Sequence, residues 1–188
     1  MANKTTVALS KKQYKEIIKT LKCGGIGFRP NIRIATALVL EANLGLRIED
    51  ILRLKLSDII KDGKRYRLNI VERKTGKKRS FTVPYEIYKY MESYAKKRGR
   101  KKDDILFDIG ERQVQRILKI TTDYLGYENI GTHSFRKYFA TEIYENNDHD
   151  IVLVQKLLQH STLLATQRYV GISIESVEKA LRGHVQLL

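Results

Sequence analysis

The sequence predicts a mainly helical (α+β) domain carrying a small three-stranded antiparallel sheet. Three observations predict it. Apolar residues recur at helical spacing before residue 55 and again after residue 84. Between them the polarity switches to period two around two turn sequences, Asp62-Gly63 and Lys74-Thr75-Gly76-Lys77. Gly24-Gly25, Gly45, Gly126 and Asn146-Asn147-Asp148 then punctuate the helical stretches. At 188 residues, with 42% hydrophobic residues and two prolines, the chain is long enough for a real core. No repeat or linker-like segment divides it, so residues 1–188 read as one compact domain.

Taken in order, Ser10-Lys11-Lys12-Gln13 has capping-box form and opens a helix with Tyr14, Ile17, Ile18 and Leu21 on one face. A second helix starts near Pro30-Asn31, turns Ile34, Leu38, Val39 and Ala42 inward and stops at Gly45. Leu46 to Leu54 restarts helically, and Arg47 and Asp50, three apart, can pair. Ile59 to Lys61 and Arg65 to Val71 form a hairpin, and Arg79 to Val83 adds the third strand. Pro84 suits the first position of a helix burying Ile87, Tyr90, Met91 and Tyr94. A further helix follows Gly110 with Val114, Ile117, Leu118, Thr121 and Leu125 apolar or buried. Thr132-His133-Ser134-Phe135-Arg136 opens the next, with Phe135, Phe139, Ala140 and Ile143 inside. Residues 151–160 place Leu153, Leu157 and Leu158 in a buried stripe, so that the helix end presents His160. The chain then turns helical again to deliver Tyr169, and a last amphipathic helix from Ser173 carries Val177, Ala180 and Leu181.

Charge narrows the function. Thirty-six Lys and Arg against twenty-one Asp and Glu leave +15, well beyond the roughly 2 to 8 charges that keep a small domain soluble. Such an excess predicts a polyanionic partner, most simply nucleic acid. The basic residues are spread over sheet and helices, which disfavours an acidic membrane. The seven residues Lys96 to Lys102 carry six positive charges and suit a rim that tracks phosphates. No apolar run approaches the roughly 18 residues of a membrane span, and a cytoplasmic, DNA-associated protein is expected. The single cysteine, Cys23, excludes an intramolecular disulfide. Four histidines and one cysteine offer no zinc-ligand spacing, so no metal is expected.

Six residues stand out: Arg47, Lys74, His133, Arg136, His160 and Tyr169. No paired carboxylates, Gly-rich phosphate loop or Ser-His-Asp arrangement competes with them. Two arginines, a lysine, two histidines and a tyrosine, without metal, suit phosphodiester transesterification through tyrosine. Two arginines can cradle the non-bridging oxygens of one phosphate and stabilise a pentacoordinate transition state. A tyrosine hydroxyl, with a pKa of about 10 in water, needs a base or a positive environment to attack. A departing 5′-oxygen needs an acid, which a lysine in a turn can supply. Each residue also has a plainer reading. Arg47 could simply pair with Asp50, and Lys74 could be a turn lysine, with Lys77 or Arg73 as rivals. His133 and His160 could be satisfied helix-end histidines.

Taken together, these segments resemble the catalytic domain of the tyrosine recombinase (phage integrase) family. The resemblance lies in Gly45-Leu46-Arg47-Ile48-Glu49-Asp50-Ile51-Leu52-Arg53-Leu54, in Lys74-Thr75-Gly76-Lys77, in Thr132-His133-Ser134-Phe135-Arg136-Lys137 and in the stretch from His160 to Tyr169, and it runs from about Leu9 to about Leu181. It implies that Tyr169 attacks the scissile phosphate to form a 3′-phosphotyrosyl link, and that Arg47 and Arg136 clamp that phosphate. It implies further that Lys74 is the acid for the 5′-oxygen, that His133 serves as base, that His160 touches phosphate and tyrosine, and that Asp50 orients Arg47. Neither ATP nor any other cofactor is implied. Double-stranded DNA is the implied partner, contacted by Lys77, Lys78, Arg79, Arg98, Arg100, Lys101, Lys137 and Arg168. A homo-oligomer, a tetramer docked through the C-terminal helix, is expected on DNA, with a monomer allowed without it.

Three departures from the family pattern stand out. Gln159 occupies a position usually held by glycine, and Asp50 replaces the more usual glutamate. Only about eight residues precede the first helix, so an N-terminal core-binding domain is expected to be absent. The chain then resembles either a fragment of a longer integrase or a single-domain fimbrial-type invertase, and weak, salt-sensitive DNA binding is expected. The rival readings are a non-catalytic DNA-binding relative and a type IB topoisomerase.

Overall fold

A computed structural model describes residues 6–170 and Arg182. Among the described residues are eight α-helices, one 3-10 turn and a three-stranded antiparallel sheet in the order β1-β2-β3. The chain divides into two compact units, Met1–Phe139 and Ala140–Leu188.

In the first unit, α1 (Lys11–Cys23) begins at the capping box read in the sequence. The Ser10 hydroxyl accepts the Gln13 N–H, and the Gln13 side chain accepts the Ser10 N–H. Helix α2 (Ile32–Leu44) is capped by Asn31 and ends on Gly45 in the left-handed region, at φ 59°. It is buried nearly all round rather than on one face, which makes it the central helix of the core. Helices α1, α3 (Ile48–Ile51) and α4 (Tyr85–Lys97) all pack against it. Pro84 is the N-cap of α4, one residue outside the position the sequence suggested. Helix α5 (Glu111–Tyr124) starts after Gly110 and lies against α1.

The sheet runs β1 (Ile59–Asp62), β2 (Arg65–Val71) and β3 (Lys78–Val83), preceded by the 3-10 turn Leu56–Asp58. Its register pairs Tyr66 with Val83, Leu68 with Phe81 and Ile70 with Arg79, so these six side chains share one face. Most of that face joins the core formed by α1 to α5. Arg79 lies on the same buried face.

Helix α6 (Thr132–Glu145) runs from the first unit into the second. In the second unit, α7 (Ile151–Leu158) is capped by Asp150, whose carboxylate accepts the N–H groups of Val152 and Leu153. The buried stripe of α7 is Val154 and Leu158, while Leu153 and Leu157 are half-buried. The helix therefore presents an i, i+4 face one residue around from the expected one. Helix α8 (Leu163–Val170) packs on α7. The expected last helix, with Val177, Ala180 and Leu181, lies outside the described residues.

Gln159 closes α7 as a left-handed C-cap at φ 53°. That conformation explains why a glycine suits this position: a Cβ there crowds the following carbonyl. Replacing Gln159 by glycine is expected to stabilise the protein by about 0.5–1 kcal/mol, the strain relieved being partly offset by a floppier unfolded chain. A thermal-unfolding comparison in which the variant melts lower would contradict this reading.

Candidate active site

Arg47 is the N-cap of α3 and has extended backbone dihedrals, φ −73° and ψ 150°. Its guanidinium therefore leaves the helical face. Nη1 donates to Glu72 Oε2 at 2.7 Å, and the Arg47 side chain keeps 16% of its surface exposed. Glu72 follows β2 and is almost wholly buried. Its other oxygen, Oε1, accepts Nη1 of Arg79 at 2.8 Å. Thr75 Oγ1 adds a third bond to Glu72, at 2.9 Å. Burial alone would raise the Glu72 carboxyl. The hydrogen bonds from Thr75 and Arg47 and the two arginine charges outweigh it and hold the group below its ordinary range.

The expected Arg47–Asp50 pair is therefore replaced by Arg47–Glu72. Asp50 Oδ1 instead accepts the backbone N–H of Arg73 at 2.9 Å, and burial pushes its carboxyl up. The reason is geometric. An i, i+3 pair needs both residues on helical backbone, and α3 begins only after Arg47.

Arg136, in the first turns of α6, is completely buried, and its Nη1 donates to the Gly45 carbonyl at 2.5 Å. Arg79 Nη2 reaches the same carbonyl at 3.4 Å. Beneath lies Glu41 of α2, with no exposed surface. Burial drives its carboxyl well above the usual range despite the attraction of Arg136. His133, one turn before Arg136, keeps solvent access. Its pKa is lowered by desolvation and then by the Arg136, Lys74, Arg47 and Lys137 cations, so the four charges converge on this imidazole. A concavity of about 400 Å³ is lined by Arg47, Lys74, Arg73 and His133, with Ile48, Glu49 and Glu111 completing it. A larger groove of about 580 Å³ lies between Asp50, Arg53, Asp58, Glu72 and the strand residues Asn69 to Val71. It holds neither His133 nor Lys74.

In the second unit, His160 follows the Gln159 cap. The Tyr169 ring stands edge-on to its imidazole, with centroids 4.7 Å apart. His160 Nδ1 lies 3.1 Å from the hydroxyl of Thr166, which is buried in α8 and sets the ring's orientation. Four of the six candidate residues thus gather in the first unit and two in the second.

Among the residues expected on DNA, Lys77, Lys78, Arg98, Lys101 and Arg168 are exposed. Arg79 is not. It is 1% exposed, because it continues the inward register of Phe81 and Val83, and its charge is spent on Glu72. Arg100 is held by Asp108 at 3.0 Å. Lys137 is half-buried and donates to the Thr6 carbonyl, and burial lowers its pKa. Sequence reasoning missed Glu72, Glu41 and Thr166. The signal for Glu72 was present: it extends the inward parity of Tyr66, Leu68 and Ile70.

His133 is expected to titrate below its ordinary value of 6.5, and Lys74→Met is expected to move it upward by removing one opposing charge. Proton-detected NMR of the imidazole checks both. A wild-type value above 6.5, or no change on substitution, would refute the cation cluster. The sign for stability follows. Between the lowered folded value and about 6.5 only the unfolded chain takes the proton, so stability falls as the pH drops through that interval.

Residues 8–175 match the phage integrase family, and the chain belongs to that family. It is 33% identical over 147 residues to "Probable integrase/recombinase YoeC" of Bacillus subtilis, covering 74% of this chain and 78% of that protein. It is 24% identical to the tyrosine recombinase XerA of Pyrococcus furiosus, over 93% of this chain but 60% of the relative. The catalytic domain of bacteriophage HP1 integrase superposes with a TM-score of 0.66 at 18% identity, covering 95% of both chains. XerH bound to its difH substrate in a pre-cleavage complex gives 0.69 at 20% identity, over 96% of this chain and 55% of that one. The mostly helical architecture with its three-stranded sheet is that of tyrosine recombinase catalytic domains. The chain thus spans little more than half of several longer relatives.

Proposed function

We propose that the protein is a site-specific DNA recombinase that cuts and rejoins strands through a 3′-phosphotyrosyl intermediate, with residues 1–188 forming its catalytic domain. The observation that carries this reading is a single concavity lined by Arg47, Lys74 and His133, with the charge of Arg136 also acting on that imidazole. Three cations and a histidine biased toward its neutral form suit a phosphodiester in transit. In the reaction, the Tyr169 oxygen bonds to phosphorus while the bond from phosphorus to the 5′-oxygen breaks. The tyrosine proton passes to His133, and Lys74 gives a proton to the departing 5′-oxygen. Arg47 meets the non-bridging oxygens with its exposed edge, the buried Arg136 adds positive charge behind it, and His160 holds the tyrosine ring edge-on. Rejoining reverses these steps with another 5′-hydroxyl, so no external energy source is needed.

Double-stranded DNA is the proposed partner. The net charge of +15 and the exposed Lys77, Lys78, Arg98, Lys101 and Arg168 support it, as does the likeness to a recombinase seen on its substrate. Exchange between two duplexes cuts four strands, and each copy carries one Tyr169, so four copies on DNA are proposed. Among the described residues no helix is long and apolar enough to cross a membrane.

Nicked suicide duplexes drawn from the DNA flanking the coding sequence test the proposal. A covalent protein–DNA adduct on a denaturing gel, lost completely in Tyr169→Phe, is expected. Binding without any adduct would favour a non-catalytic DNA-binding relative.

A further inference from the structure

Glu72 makes more structural bonds than any single role requires. Its two carboxylate oxygens are divided, Oε2 to Arg47 at 2.7 Å and Oε1 to Arg79 at 2.8 Å. Oε2 also accepts the Thr75 hydroxyl at 2.9 Å, and Thr75 is the residue immediately after Lys74. The Glu72 backbone closes the same turn: its N–H donates to Lys77 at 3.0 Å and its carbonyl accepts from Gly76 at 2.9 Å. On the other side of the turn, Arg73 N–H is held by Asp50. A proposed phosphate-binding arginine and the turn that bears the proposed acid therefore share one buried anchor.

The charges are arranged consistently with that task. A lone carboxylate facing Arg47 would neutralise it and compete with a phosphate for the same donors. Here Arg79, buried and facing the opposite oxygen, leaves the group of three with a net charge of +1. Arg47 spends one of its five N–H donors on Glu72, so its fork can still meet a phosphate. Its partly exposed side chain lines the same concavity as Lys74 and His133.

We propose that Glu72 is a positioning residue that locks Arg47 and the Lys74 turn into one unit, with Arg79 as its buried counter-charge and Thr75 as the link to the turn. This rests on the recombinase reading above. It assigns to Glu72 the orienting task expected of Asp50, and it makes placement of the acid depend on the same carboxylate as placement of the arginine.

The test uses the 188-residue chain and two duplexes that differ at the cleavage position mapped with wild-type protein. One carries the ordinary 5′-oxygen and the other a 5′-bridging sulfur, whose thiolate departs without a proton. Two variants separate the roles. Thr75→Val alters an exposed turn residue and removes its hydroxyl bond to Glu72. Glu72→Gln with Arg79→Gln removes both buried charges together, so that neither is stranded in the core. A misplacement of about 1 Å costs about 100-fold in rate.

Thr75→Val is expected to slow cleavage of the oxygen duplex about 10- to 100-fold and to be restored to within about twofold of wild type by sulfur. The double variant is expected to be slow on both duplexes, because Arg47 is displaced as well, while its DNA affinity stays within about threefold of wild type. Equal losses for Thr75→Val on both duplexes, or wild-type rates in either variant, would overturn the proposal and leave the recombinase reading intact. Failure of the wild-type protein to form an adduct on any nicked duplex used for the mapping would overturn both.

Discussion

Replacing Arg47 by alanine is expected to slow formation of the covalent adduct about 100- to 1,000-fold, the cost of removing one donor aimed at developing charge. The geometry makes the effect specific to Arg47. Its side chain retains an exposed edge beside Lys74 and His133, whereas Arg136 is wholly buried on the Gly45 carbonyl. Arg47→Lys keeps the charge but not the planar fork, and is expected to recover only a small part of the rate. Glu72 retains Arg79 when Arg47 is lost, so the buried carboxylate is not stranded and the variant should remain folded. Single-turnover cleavage, with folding followed by circular dichroism, checks both statements. A folded Arg47→Ala protein that cleaves within a factor of a few of wild type would remove Arg47 from the phosphate.

Gly45→Ala is expected to destabilise the first unit by about 2–4 kcal/mol. Two costs add. The residue sits at φ 59°, where a Cβ is strained, and that Cβ would overlap the ring carbons Cδ1 and Cε1 of Phe139. The helix end cannot shift freely to relieve the overlap, because the Gly45 N–H is held by Glu41 and its carbonyl by Arg136. The same substitution should therefore lower cleavage more than the unfolded fraction alone explains. Urea denaturation measures the first effect and cleavage per folded molecule the second. An unchanged denaturation midpoint would show that the Phe139 contact is not rigid.

How far this was legible from the chain depends on whether a feature is local. The capping box at Ser10, the cap at Asn31, the stop at Gly45 and the hairpin turns are written in adjacent residues, and they stand where the sequence puts them. The six candidate residues were found because their order and surroundings match a family, not because their individual types demand a role. The pairing of Arg47 failed at sequence level for a specific reason. Spacing of three means proximity only within a helix, and Arg47 stands just outside one. The charge of Arg79 suggests the surface, although strand parity with Phe81 and Val83 puts it inside. Parity would also have matched it with Glu72, since two opposite charges on buried faces need one another. Glu41 gave no such signal. A glutamate in a helix ordinarily marks the solvated face, and only the packing of α2 on several sides shows that this helix has none.

In the proposed reaction one particular tyrosine becomes covalently joined to the 3′ end of a cut strand. The chain contains eleven tyrosines, so detecting an adduct does not identify the residue. Trapping the adduct on a nicked duplex, digesting protein and DNA, and sequencing the nucleotide-bearing peptide by mass spectrometry would identify it. A 3′-phosphate on Tyr169, with a free 5′-hydroxyl on the released strand, is the expected result. A nucleotide on any other tyrosine, or linkage through a 5′-phosphate, would contradict the account.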